Sequence, residues 1–403
     1  MKSNPSERDL PKGFAFSTAA CGLKKSGLDL GLIVSDMLAA TAAVFTQNLV
    51  RAAPVVLSRA NIRRGHGRMR ALIVNSGNAN CATGEAGLNA SRATVAAAAR
   101  ELGCTPHEVL VCSTGVIGVP LHAEKIVCAI PDLTAAKNRS AKSFRSFTRA
   151  IMTTDTRPKW AAERIRIRGK EVRLLGCAKG AGMIQPNMAT MLAFIVTDAA
   201  IEPALLSQAL RRVVAHTFNA ITVDGDTSTN DTLAVLANGA SGTGKLRSDG
   251  ADFRRFGAAL ETICAKLALA IVADGEGAKR VIEIEVRGAH SESAAETIAR
   301  TIANSPLVKT ALAGGDPNWG RILAAAGRAG VKFDPTRVDI QIAGMTLCRR
   351  GLEIPFDERV AHRRMMAKFV PVRVDLRSGR AAARIWTCDF TGEYVRINAS
   401  YRT

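Results

Sequence analysis

The chain alternates between short runs in which nearly every position is apolar and longer runs in which apolar positions recur every three or four residues. Runs of the first kind, LDLGLIVSDM (28–37), ALIVNSG (71–77) and EVLVCSTG (108–115), predict buried strands, the last ending in a polar turn. Between them EAGLNASRATVAAAARELG (85–103) predicts a helix. RIRIRGKEVRLLG (164–176) predicts a hairpin turning at residues 168–170, and TMLAFIVTD (190–198) a strand buried on both faces. EPALLSQALRRVVAHTF (202–218) and DFRRFGAALETICAKLALAIV (252–272) carry helical spacing, whereas RVIEIEV, RVDIQIAG and FVPVRVDL read as strands. The alternation in EYVRIN (393–398) predicts one more strand, with Asn398 held at its end and five residues beyond it. Strands interleaved with helices, with no internal repeat, predict an α/β protein with mixed sheets sandwiched between helical layers.

Composition adds size and partners to this picture. A chain of 403 residues, 47% of them hydrophobic, buries a large core and is expected to form more than one lobe. The net charge is +20, from 55 basic and 35 acidic residues, and is spread along the chain with modest clusters at 63–70 and 363–368. Aromatics make up only 4%, so the stacking surface of a single-strand binder is missing, and no nucleic-acid partner is expected. A positive field of this kind attracts small anions such as carboxylate substrates. The start, MKSNPSERDLPKGF, places Pro, Glu and Asp where a secretory signal needs an apolar run, and no stretch is long and apolar enough to span a bilayer. A cytoplasmic protein without a membrane partner is the expectation. The nine cysteines are scattered, never in C-x-x-C spacing, and read as small reduced core residues.

Familiar chemistries find little anchor. GASGTGKL (239–246) nearly spells a phosphate-binding loop, but Leu246 stands where a Ser or Thr holds the magnesium, and a Gly-rich surface turn is the better reading. The six histidines show no H-E-x-x-H spacing, and no G-x-S-x-G elbow is present. That leaves KGAGMIQPNMATML (179–192), where a Gly/Pro/Asn loop runs into an apolar strand at Thr190. A threonine opening a strand is ordinary on propensity grounds. It becomes a nucleophile if the chain is cut between Ala189 and Thr190, because the freed α-amine then takes the hydroxyl proton. The simplest cut is attack of the Thr190 hydroxyl on the Ala189 carbonyl, exchanging the amide for an ester that water opens. Spacing alone leaves both readings standing.

The stretch 179–192 resembles the processing and nucleophile motif of the ornithine acetyltransferase family, the glutamate N-acetyltransferases of arginine biosynthesis. The likeness continues through GLIVSD (31–36), AAVFTQN (42–48), NSGNANCATG (75–84), STGVIG (113–118) and TTDT (153–156). It goes on through TVDGDTSTNDT (222–232), DGEGA (274–278), GGDPNWGRI (314–322) and the final YVRINASYRT, so it covers essentially the whole chain. Ala181 replaces a Ser carried by many relatives.

The resemblance implies an N-terminal-nucleophile-like fold of two lobes, cut into an α chain of residues 1–189 and a β chain of 190–403, assembled as α2β2. Acetyl would pass from N-acetylornithine to Thr190 and then to glutamate in a ping-pong cycle without metal or organic cofactor, and acetyl-CoA is left open as a second donor. Thr190 matches the nucleophile, and Thr114 with Gly115 the oxyanion hole. Thr153, Lys179, Glu276, Asn398 and Thr403 match substrate-binding positions, their types suiting an amino-acid ligand: a lysine for a carboxylate, a glutamate for an ammonium. Singly, each has a plainer reading: Thr114 and Gly115 end a strand, Lys179 is a turn lysine, and Glu276 pairs with Lys279 or Arg280. NSGNANCATG and TVDGDTSTNDT have the composition of tight turns and stay outside the catalytic set; Trp319 in GGDPNWG reads as a packing residue. Two rival classes remain: a self-cleaving threonine aminopeptidase or amidohydrolase that sends the acyl group to water, and a basic binding protein whose chain stays intact.

Overall fold

The computed structural model describes residues 4–185 and 191–400. Eight strands form the first sheet: β1 (Phe14–Ala19), β2 (Leu30–Phe45), β3 (Arg68–Asn78), β4 (Val109–Val116), β5 (Lys159–Ile167), β6 (Lys170–Lys179), β7 (Leu192–Thr197) and β8 (Thr232–Ala237). Their order is β4-β3-β2-β8-β7-β6-β5, with β1 paired to β2. The long β2 is its pivot. Its first half pairs with β1 and β3, its second half with β8, and the register to β3 shifts between Val34 and Ala39.

Beyond this bulge, which adds local twist, β2 leaves β3 for β8. Apolar residues of both halves, such as Leu72 and Leu110 from one and Phe194 and Ala234 from the other, share one core with Phe144 and Phe147 of the helix Ala141–Ala150. The outer faces are clad by helices. Gly84–Leu102 and Ala123–Ala135 cover β3 and β4, and Pro203–His216 and Ala251–Val272 cover β6, β7 and β8. β7 shows why an unbroken apolar run was needed: Ala193 and Ile195 face the outer helices while Leu192, Phe194 and Val196 face the inner core.

A second sheet holds β9 (Val281–Ala289), β10 (Asp339–Ile342), β11 (Met345–Arg349), β12 (Leu352–Glu353), β13 (Phe369–Asp375) and β14 (Ala381–Cys388) in the order β12-β11-β10-β13-β9-β14. It packs on the helices Glu292–Ala303, Pro306–Gly314 and Trp319–Gly327 around its own core, with Trp319 partly buried against it. The expected layering and the two lobes are therefore present.

One element differs from expectation. The segment read as a terminal strand is a helix, Gly392–Ser400, whose residues bury no side chain fully. Thr391 accepts the Glu393 amide at 3.3 Å, the Tyr394 ring lies 4.3 Å from that of Phe390, and Val395 points outward at 62% exposure. Alternation in a short exposed segment does not separate the two periods. The Gly-rich 239–246 stretch is a loop, with no helix before Ala251, as its failed phosphate motif required. All nine cysteines are free, six of them buried. Among the described residues no helix is long and apolar enough to cross a membrane.

Candidate active site

Where β4 and β6 end and β7 and β8 begin, their tips surround a cavity of about 220 Å³. Of the nine site residues the sequence suggested, Thr114, Gly115, Thr153, Lys179, Glu276 and Asn398 all line it. Ala189, Thr190 and Thr403 lie outside the described residues. The strand β7 starts two residues after Thr190, and Met191 and Leu192 line the same cavity.

Thr114 and Gly115 sit on the bulged end of β4, where Asn78 pairs with both Thr114 and Val116. Gly115 has φ +135°, and a Cβ there would stand 2.3 Å from the Gly77 carbonyl carbon, so only glycine fits. The bulge is held by the NSGNANCATG segment. Ser113 donates to Asn75 Oδ1 at 2.6 Å, Asn75 Nδ2 to the Asn78 carbonyl at 2.9 Å, and Asn78 Nδ2 to the Val119 carbonyl at 3.1 Å. Asn230 clamps the β4 end from across the cavity, donating to the Ala79 carbonyl at 2.5 Å and the Ser113 carbonyl at 2.8 Å.

Lys179 ends β6 as a buried residue, not a surface turn lysine, and its Nζ donates to Thr114 Oγ1 at 3.2 Å. Burial lowers its pKa, opposed by the neighbouring Asp155 carboxylate. Asp155 belongs to a buried ionic trio: Lys159 Nζ lies 2.5 Å from Asp155 Oδ1 and 2.5 Å from Asp274 Oδ2. Asp155 also accepts the backbone amides of Gly180 at 2.7 Å and Thr153 at 3.0 Å, fixing the two loops that flank Lys179. Burial pushes its carboxyl up, but Lys159, Lys179 and the Gly180 amide outweigh that and hold its pKa at about 2.

Glu276 pairs with neither Lys279 nor Arg280. Arg280 goes to Asp389 at 3.0 Å, and Glu276 instead receives Asn398 Nδ2 at 2.8 Å. Its carboxylate lies against Gly182, where a Cβ would come within 2.4 Å. The terminal helix thus reaches the site through Asn398.

The segment TVDGDTSTNDT is more than a turn. Asp224 accepts the amides of Met183 at 2.7 Å and Ile184 at 2.8 Å, so it shapes the loop that leads toward the Ala189–Thr190 bond, and Tyr394 reaches it from the terminal helix at 3.4 Å. Burial raises the pKa of the Asp224 carboxyl. Asp226, Ser228 and Asp231 line the cavity as well. The segment kept outside the catalytic set thus lines the cavity, and its density of Asp and Thr is a signal that tight turns share.

Fold and cavity together define an α/β sandwich with a polar-lined cavity at converging strand ends. Residues 15–403 match the ArgJ family, and the chain belongs to it. The arginine biosynthesis bifunctional protein ArgJ of Chlorobaculum tepidum is 47% identical over 98% of this chain and 96% of its own length. That of Thermus thermophilus is 47% identical over 98% of this chain and 99% of its own. A crystal structure of the Bacillus halodurans protein of the same name matches 51% of this chain and 96% of the solved chain at 41% identity, with a TM-score of 0.49.

Proposed function

We propose that this protein is an acetyltransferase of arginine biosynthesis that moves acetyl from N2-acetyl-L-ornithine to L-glutamate through an ester on Thr190. The pathway is the one in the relatives' names. The observation that carries the chemistry is the meeting of Lys179, Thr114 and Gly115 in the cavity at whose lip β7 begins.

The chain is cut between Ala189 and Thr190, leaving pieces 1–189 and 190–403. The Thr190 hydroxyl attacks the acetyl carbonyl and its proton passes to the new α-amine. Negative charge gathers on the acetyl oxygen, where the Thr114 hydroxyl and the Gly115 N–H receive it. Because Lys179 donates to Thr114 Oγ1, the Thr114 hydrogen is free to turn to the oxyanion. Collapse breaks the bond to nitrogen, and ornithine leaves with the proton. The glutamate amine then attacks the ester, releasing N-acetylglutamate and restoring Thr190. Glu276, steadied by Asn398, suits the substrate ammonium, with Thr153 and Thr403 completing the binding set. No metal or organic cofactor takes part in these steps. Acetyl-CoA as a second donor fits the word bifunctional in the relatives' names, and a cytoplasmic α2β2 assembly completes the reading.

The test is direct. Purified protein should separate under denaturing conditions into two pieces, the second beginning TMLAF, and Thr190→Ala should remain one chain. Acetyl-labelled N-acetylornithine with glutamate should yield labelled N-acetylglutamate, whereas free acetate as the main product would indicate a hydrolase. A stable, active, intact wild-type chain would overturn the threonine mechanism.

A further inference from the structure

Asn230 is 6% exposed and lines the cavity, and through it the segment 222–232 holds the end of β4. Its Nδ2 donates to two carbonyls, Ala79 at 2.5 Å and Ser113 at 2.8 Å, and its Oδ1 accepts the Thr229 hydroxyl at 2.7 Å. Two acceptors on one side and a donor on the other leave one orientation for the side chain, and a neutral carboxamide meets all three. The residue is itself anchored. Its backbone amide donates to Ser228 Oγ at 3.2 Å, its carbonyl accepts the Thr232 hydroxyl at 3.2 Å, and the Thr229 carbonyl accepts the Ala52 amide at 3.0 Å. The two carbonyls it holds bracket the β4 bulge. The Ser113 carbonyl belongs to the peptide unit that leads into Thr114, and the Ala79 amide donates to the Val116 carbonyl at 2.9 Å, just past Gly115. One side chain thus fixes the backbone before Thr114 and after Gly115.

We propose that Asn230 is a positioning residue for the oxyanion hole: by holding the Ala79 and Ser113 carbonyls it sets the direction in which the Thr114 hydroxyl and the Gly115 N–H point. This rests on the reading of Thr114 and Gly115 given above. Gly115 has no side chain whose packing could hold its own N–H in place, and its φ of +135° keeps the turn against the Gly77 backbone. The clamp supplies that rigidity from another strand. A donor pair stabilises developing charge best when it needs no rearrangement at the moment the charge appears, and a misplacement of about 1 Å from outside the reacting groups can cost about a hundredfold in rate. In this role Asn230 acts through the backbone of β4 and touches no reacting atom.

Asn230→Asp keeps the shape and loses at least one of the two donated bonds, and Asn230→Ala removes the amide without adding a charge. With rates counted per cut chain, each should lower kcat about a hundredfold while KM for N-acetylornithine and glutamate changes by no more than about threefold. In a Thr114→Ala background, where one of the two donors is already missing, the same substitutions should cost at least about tenfold less than they do in wild type. Equal fold losses in the two backgrounds, or a raised KM with kcat unchanged, would overturn the proposal. If one variant fails to fold, the other carries the same test; if neither folds and is cut, Asn230 upholds the fold and not the hole, and the proposal is equally wrong. Thr114→Ala with unchanged kcat would overturn the oxyanion reading itself, a result distinguishable from any of these.

Discussion

Replacing Lys159 by Met tests whether the ionic trio behind the site is truly desolvated. The side chains of Lys159, Asp155 and Asp274 are 1%, 0% and 3% exposed. Methionine fills a similar volume but strands two carboxylates in the interior. Breaking a buried ion pair by removing one partner costs about 3–5 kcal/mol, a large share of the roughly 5–15 kcal/mol typical of a domain. At about 2 °C per kcal/mol for a large chain, calorimetry should show a Tm drop of roughly 6–10 °C at pH 7.

The pH dependence gives a second check. Asp155 has its pKa depressed in the fold, from 3.8 to about 2, so its contribution is complete above pH 3.8 and is lost as pH falls through 2. That depression is worth on the order of 2 kcal/mol. In Lys159→Met the principal cation holding the Asp155 carboxyl ionised is gone, and that carboxyl can take up a proton. The stability difference between wild type and variant should therefore be smaller at pH 4 than at pH 7. Activity should fall as well, since Asp155 anchors the amides of Thr153 and Gly180. A loss below about 1 kcal/mol at pH 7, or one that does not change between pH 4 and 7, would refute the claim of a desolvated trio.

Gly115→Ala should lower kcat about a hundredfold or more and leave KM less affected, because the added methyl must displace the Gly77 backbone and with it the N–H that the proposed mechanism assigns to the oxyanion; unchanged turnover in steady-state kinetics would remove Gly115 from that role. Asn398→Ala should raise KM for N-acetylornithine and glutamate by about tenfold through the loss of one bond to Glu276, with Tm nearly unchanged because the terminal helix buries little; unchanged KM values would make the helix a bystander.

Much of this was legible in one dimension because burial on two faces writes itself as an unbroken apolar run. TMLAFIVTD did so. The change of partner along β2 was not, since GLIVSDMLAATAAVF gives no mark of where one half of a strand leaves one partner and finds another. The site divided the same way. Thr114, Gly115, Lys179 and Glu276 were reached through the family likeness, while the Lys179–Thr114 bond joins residues 65 apart and no local spacing foretells it. Asp224 and Asp231 stayed outside the catalytic set because tight turns draw on the same residue types, although both reach the cavity wall. The terminal helix was misread because its six alternating residues face solvent more than core.

The interleaving of β2, β6, β7 and β8 in one sheet has a consequence for maturation. The bond before Thr190 joins two neighbouring strands of that sheet, so residues on both sides of it must already be in register before the surrounding cavity exists. On the proposed mechanism, cutting comes after folding and acts as a quality check: a misfolded chain never exposes a working nucleophile and stays chemically silent. The two pieces would then stay joined by strand pairing, by shared core and by pairs such as Lys159 with Asp274, and the fraction of chain found cut in a cell extract would count the molecules that folded.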